Sequence, residues 1–183
     1  KAANFGLLYG MMAKGFVRYA WNTFKMSITL EQAQEIIDRF FGLYPGLIKW
    51  HEKYKALARD GYVVSPFGRI RHLPLIKSPD WMLSGKAERQ AINSPIQSAL
   101  SEIMLWAFVE IERQIEQAQM VCNIHDAGIG YVPEDHALEI GRRVVEVASN
   151  LPIKQVFGWD PQLKFTFDLE MGKNMGEMEK IKV

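Results

Sequence analysis

Three groups of side chains in this sequence have the types and spacing to do chemistry. Lys1, Phe5 and Tyr9 fall at i, i+4 and i+8, so a helix would set one ammonium and two aromatic rings on a single face. The cation can hold a phosphate and a ring can stack on a sugar or base. Such a face suits a nucleoside triphosphate lying along it. Arg89, Asn93 and Gln97 repeat the same spacing, and all three can donate hydrogen bonds. Every base pair offers minor-groove acceptors at similar positions, so this stripe could sense duplex shape without reading sequence. An ordinary solvated helix face has the same composition. His125-Asp126 lies between two apolar stretches, and a carboxylate at a strand-turn-strand apex can bind a hard cation. A lone His-Asp pair is also what a plain turn contains.

Composition bounds what these groups can belong to. With 183 residues, 48% of them hydrophobic, the chain can form one domain, or one and part of a second. The four histidines show no metal-ligand spacing, and the single Cys122 cannot close an internal disulfide. No apolar run is long enough for a bilayer, and the N-terminus lacks signal-peptide architecture. A reducing, cytoplasmic setting is expected, or an intracellular host compartment for a phage-encoded chain. The net charge of +1 hides a gradient. Residues 1–30 hold Lys1, Lys14, Arg18 and Lys25 and no acid, whereas Glu110, Glu112, Glu116, Glu134, Asp135 and Glu139 come later. A basic front is what a surface that meets a polyanion needs, although scattered surface charge gives the same count.

The elements that must position these groups can be read from periodicity and punctuation. Residues 1–21 read as helix, with Gly6, Gly10 and Gly15 as weak points and a break after Gly10 as the alternative. Thr29 with Gln32 forms a capping box for a helix over 30–41, carried by Leu30, Ala33, Ile36, Ile37, Phe40 and Phe41. Pro45 opens and Gly61 stops another helix, with Leu47, Ile48, His51, Tyr54 and Leu57 as its stripe. Residues 61–74 read as a short basic hairpin around Ser65-Pro66-Phe67-Gly68, and 75–84 as a loop. A helix over 85–117 would bury Ile96, Leu100, Ile103, Met104, Ala107, Phe108, Ile111 and Ile115, with a kink near Pro95. Strands 119–124 and 128–132 flank His125-Asp126-Ala127, with Cys122 buried on the first. Helix 134–150 follows Pro133, and Leu163, Phe165, Phe167 and Leu169 alternate with polar residues as a strand with one wet face. The tail after Met171 carries little signal.

The opening Lys1-Ala2-Ala3-Asn4-Phe5-Gly6-Leu7-Leu8-Tyr9-Gly10 resembles the K-x-x-N-F-G-x-x-Y-G nucleotide-binding helix of family A DNA polymerases. The resemblance continues in order along the chain. Tyr44-Pro45-Gly46 is similar to the family's Y-P-G, and residues 61–74 to its G-Y-V-x-T-x-x-G-R-R-R-x-L-P hairpin. Glu88-Arg89 through Gln97 is similar to E-R-x-x-x-N-x-P-x-Q, and Val121 through Asp126 resembles V-H-D-E. Ala127 departs from the last motif, standing where the family usually has Glu.

The resemblance implies an α+β fold: mostly helical fingers with a small antiparallel palm sheet, an incomplete family A polymerase domain. Residues 1–60 would be fingers helices, and 61–183 the remainder of the fingers and the distal palm. The implied reaction is template-directed transfer of a deoxynucleotide to a primer 3′-hydroxyl, with primer–template DNA and dNTP as partners. Lys1, Phe5 and Tyr9 would bind the nucleotide, Arg89, Asn93, Gln97 and His125 the DNA, and Asp126 a metal ion. Triphosphate chemistry of this kind commonly uses two Mg²⁺ ions about 3.5–4 Å apart. One Asp cannot hold both, so the partner carboxylate is expected upstream of Lys1. The chain is thus expected to be the C-terminal portion of a split or truncated polymerase, inactive without the N-terminal part. Two alternatives share some of these features. A single-subunit RNA polymerase has a Lys…Tyr-Gly helix and a His-Asp turn, but Asn4-Phe5-Gly6 and the Arg89 stripe favour DNA synthesis. A non-catalytic nucleic-acid-binding module derived from a polymerase would explain Ala127, but not retention of Lys1, Phe5, Tyr9 and Asp126 together.

Overall fold

A computed structural model of the chain describes residues 6–182. The chain divides into two compact units between Ile96 and Gln97, inside its longest helix. The described residues are mostly helical, and their strands form two-stranded antiparallel sheets. This is the α+β architecture that the sequence implied.

In the first unit, residues 6–8 are helical and the chain turns at Tyr9-Gly10. The Met11 N–H returns to the Gly6 carbonyl at 2.9 Å and the Gly10 N–H to the Leu7 carbonyl at 3.1 Å. Gly10 has φ +81°. These two bonds with a left-handed residue between them are a Schellman ending, and glycine adopts that conformation without a Cβ penalty. The break at Gly10 therefore holds, and one continuous helix to residue 21 does not. Helix α1 (Ala13–Phe24) begins after the turn and buries Phe16 and Ala20. Helix α2 (Leu30–Leu43) starts on the predicted capping box. Gln32 N–H donates to Thr29 Oγ1 at 3.1 Å, and Thr29 N–H to Gln32 Oε1 at 2.9 Å. Ala33 and Ile37 join Leu7 and Phe16 in one apolar cluster, while Leu30 and Ile36 stay exposed.

Helix α3 (Pro45–Ala58) has its proline at the first turn and stops before Gly61, whose φ is +91°. Its inward face is Trp50, His51, Tyr54 and Ala58, so the predicted stripe is rotated: Ile48 and Leu57 are exposed. The reason lies in the partners. Tyr54 and Ala58 meet Val63, Leu73, Ala91 and Ile92, and Trp50 packs against that cluster. Strands β1 (Tyr62–Val64) and β2 (Ile70–His72) form the basic hairpin, Val63 opposite Arg71. The buried Ser65 hydroxyl accepts from the Phe67 and Arg69 N–H groups at 3.2 Å and organises the turn.

Helix α4 (Trp81–Gln114) starts four residues earlier than predicted. Asp80 caps it, with Oδ1 accepting from the Met82 N–H at 2.8 Å. Ala87, Ala91 and Ile92 are buried on its first-unit stretch and Ala99, Ile103, Met104, Ala107 and Ile111 on its second-unit stretch. Leu100, predicted in the buried stripe, is exposed, because small Ala99 takes the inward position.

In the second unit, β3 (Gln119–Ile124) and β4 (Ala127–Tyr131) form a hairpin with a register shift between Met120 and Cys122. After a 3₁₀ turn (Glu134–His136) come α5 (Ala137–Ser149) and the short α6 (Ile153–Phe157). The predicted helix at 134 opens as 3₁₀ because no side chain caps it. Phe165, Phe167 and Leu169 are half-buried between exposed neighbours, as alternation requires, yet only Leu169–Met171 (β5) enters a ladder. Its partner is β6 (Glu179–Ile181), in the tail that showed no signal. Lys180 Nζ lies 2.7 Å from Asp168 Oδ2 and fastens that tail.

Glycine sets how closely β4 approaches its neighbours. A Cβ on Gly128 would lie 2.6 Å from Phe108 Cε1, and one on Gly130 2.7 Å from the Gln119 carbonyl oxygen. Gly130→Ala is expected to lower stability by about 1–3 kcal/mol, since a backbone carbonyl cannot yield. Gly128→Ala should cost less in a Phe108→Leu background, whereas Gly130→Ala gains nothing from that change; urea unfolding midpoints measure both. Burial also pushes the Tyr54 phenol above its ordinary value of 10.0. The folded state then favours the neutral form, so its contribution is complete below about pH 10 and is lost as pH rises through the raised value. Tyr54→Phe should flatten the alkaline limb of the stability profile, as read by thermal unfolding across pH 9–12.

Candidate functional site

The hairpin turn presents the candidate metal ligand. Ile124 pairs with Ala127, which leaves His125 and Asp126 as a two-residue connection. His125 has φ +59°, a conformation that non-glycine residues rarely adopt and that clusters at functional sites. Both side chains are exposed, as is Ala127. Cys122 is also exposed, against the expectation of burial, because the register shift disturbs the strand's alternation beside it.

Arg89, Asn93 and Gln97 occupy three successive turns of α4. The helix is held from its other faces. Lys55 Nζ lies 3.1 Å from Glu88 Oε2, and the Trp50 indole N–H donates to the Ile92 carbonyl at 3.3 Å. Pro95 has no N–H for the Ala91 carbonyl, so Trp50 supports the backbone at the turn that proline weakens. Arg89 and Gln97 are exposed, and Asn93 is half-buried. Asn93 Oδ1 is buried with no hydrogen-bond partner among the described residues. Ser98 Oγ, further along the helix, is likewise buried and unbonded among the described residues.

The first motif and this stripe meet in the first unit. An ideal Cβ on Gly10 would stand 3.5 Å from Ile92 Cδ1 and 3.7 Å from Arg89 Cγ. The Tyr9-Gly10 turn therefore lies directly on the α4 turn that carries Arg89. Tyr9 is half-buried there. Lys1 and Phe5 lie outside the described residues. His51 Nε2 makes a 2.8 Å bond with the Leu8 carbonyl. The sequence marked His51 only as part of a stripe, and no local signal could have found its partner 43 positions away.

Among the described residues no group of three or more His, Cys, Asp and Glu could hold a metal ion. Asp126 offers a carboxylate of the hard-oxygen type that Mg²⁺ takes. Glu134, a conceivable substitute for the acid missing at Ala127, faces Lys173 at 3.6 Å. A groove of about 960 Å³ runs along the 3₁₀ turn and α5 between Glu134, His136, Arg142 and Glu146, and holds none of the predicted site residues. Displaced titrations belong to structural pairs. Hydrogen bonds from Gln114, Arg113 and Trp106 hold Glu110 low, and Asp160 and Asp168 raise Lys154 and Lys180. No described helix is long and apolar enough to cross a membrane.

A family model described as DNA polymerase family A matches residues 1–177. DNA polymerase I of Pseudomonas aeruginosa is 36% identical over 140 residues, covering 74% of this chain and 15% of that protein. The thermostable DNA polymerase I of Thermus aquaticus is 33% identical over 150 residues, covering 80% and 17%. Among solved structures, the POL domain of Pol1 from M. smegmatis, in complex with DNA primer-template and dNTP, is similar with a TM-score of 0.74 and 27% identity. The similarity covers 81% of this chain and 26% of that one. The chain therefore spans less than a fifth of these curated relatives. A match of this length, carried by motifs in order on elements of the expected kinds, decides between DNA and RNA polymerase relatives: the chain belongs to DNA polymerase family A.

Proposed function

We propose that this chain is the fingers and distal palm portion of a template-directed DNA polymerase. The observation that carries this reading is the family match from residue 1 to 177, with Lys1, Phe5, Tyr9, Arg89, Asn93, Gln97, His125 and Asp126 all on motif positions. In the reaction the primer 3′-oxygen bonds to the α-phosphorus of a deoxynucleoside triphosphate. The bond to the bridging oxygen breaks, pyrophosphate leaves with the electron pair, and the hydroxyl proton passes to solvent.

Each residue has a role its chemistry suits. Lys1 neutralises the triphosphate as a mobile point charge. Phe5 packs beside the sugar, and Tyr9 abuts the templating pair from the turn fixed by Gly10. Arg89, Asn93 and Gln97 hold the duplex through acceptors common to all base pairs, to which the N–H groups of all three can donate. His125 touches the primer terminus. Asp126 would hold Mg²⁺, which when bound neutralises charge that develops on the phosphate oxygens. A second carboxylate must come from polymerase polypeptide beyond this chain, which makes that segment its expected partner.

Measured in the whole polymerase that contains this chain, Asp126→Ala should cut primer extension by about 10³-fold or more while primer–template binding persists. Extension near the wild-type rate would remove Asp126 from the metal site and sink the assignment. Ala127→Glu should leave extension intact or raise it, because position 127 is exposed and the change adds an acceptor beside the turn. A large loss would mean that the site is built around Ala.

A further inference from the structure

We propose that His51 is a positioning residue for the incoming nucleotide, acting by holding the Leu8 carbonyl so that the Tyr9-Gly10 turn stays seated on α4. The proposal rests on the reading of Tyr9 as a nucleotide-binding residue.

A helix leaves its last carbonyls without intrahelical donors. The Schellman ending at Gly10 takes care of two of them, Gly6 through the Met11 N–H and Leu7 through the Gly10 N–H. Leu8 is the next carbonyl, and the motif provides nothing for it. His51 Nε2 stands 2.8 Å from that oxygen. A carbonyl only accepts, so Nε2 must carry the proton and the imidazole tautomer is fixed. The ring itself is braced by Phe41, edge-on at 5.6 Å and 78°.

The consequence is geometric. Trp50 and His51 are adjacent on α3, and each bonds a different backbone: Trp50 the Ile92 carbonyl of α4, His51 the Leu8 carbonyl. The same two segments touch where Gly10 meets Ile92 and Arg89. One rigid helix thus fixes both sides of that contact. Tyr9 follows Leu8 directly, so the bond sets the peptide from which its ring projects.

In the whole polymerase, His51→Leu keeps apolar bulk against Phe41 and deletes the donor, whereas His51→Gln returns an N–H at similar reach. For His51→Leu, exchange of the Gly10 and Met11 amides should quicken about threefold to tenfold, with α3 amides unchanged. The KM for the incoming deoxynucleotide should rise by a similar factor with kcat within about twofold, and His51→Gln should restore both readouts. Unchanged exchange in His51→Leu overturns the tether. Faster exchange with unchanged KM overturns its role toward the nucleotide. Wild-type protein without any extension would bring down the polymerase reading and with it the nucleotide role, while the exchange measurement would still decide the hydrogen bond.

Discussion

Backbone brought against the surface of α4 is the constraint on which both units depend. In the first unit the chain reverses at Gly10 directly over Ile92 and Arg89. In the second, β4 runs past Phe108 at Gly128, with no room for a Cβ. At Gly128 the missing side chain lets main chain approach, whereas at Gly10 a Cβ would find ordinary contact and the glycine serves the positive φ. What sits next to each glycine is a candidate site residue: Tyr9 beside Gly10, and the His125-Asp126 turn two residues before Gly128. Close approach converts a flexible turn into a fixed one, because the turn inherits the rigidity of a long, buried helix. Precision in the candidate site is thus a property of α4 lent to short segments.

Close approach brings a second requirement, since main chain pressed against a helix must still satisfy its polar groups. The first unit meets it with two side chains of α3, Trp50 and His51, one for each facing backbone. Proline at position 95 makes that support more consequential, for the helix lacks one of its own bonds at the turn that carries Asn93. Asn93 Oδ1 and Ser98 Oγ are buried on that helix without a bond among the described residues.

Much of the fold was legible because its signals are local. The Thr29–Gln32 box, Pro45, the glycines at 10 and 61, and the Ser65-to-Gly68 turn each declare a short-range bond or dihedral, and each holds. The failures share a cause in tertiary context. Asp80 reads as loop in the sequence because a cap is recognisable only once the helix after it is, and Trp81 and Met82 stay exposed. Leu100 and Leu57 lie on helix faces that the sequence pattern could not orient, since packing chose Ala99 and Ala58 instead. Strand β6 has no alternation of its own and exists only because β5 offers an edge. Motifs marked the candidate site residues, but His51 lies outside every motif, and Lys1 and Phe5 fall outside the described residues.

The hairpin shows why one carboxylate at a turn differs from one on a helix face. A two-residue connection leaves His125 and Asp126 no freedom beyond their side-chain torsions, and His125 takes the unfavourable positive φ. Histidine, like asparagine and aspartate, adopts that conformation more readily than most non-glycine residues, though less readily than glycine. That cost of order 1–3 kcal/mol is borne by the strand pairing on either side and by the contact of β4 with Phe108. The sheet thus holds a histidine with a left-handed backbone next to an exposed acid.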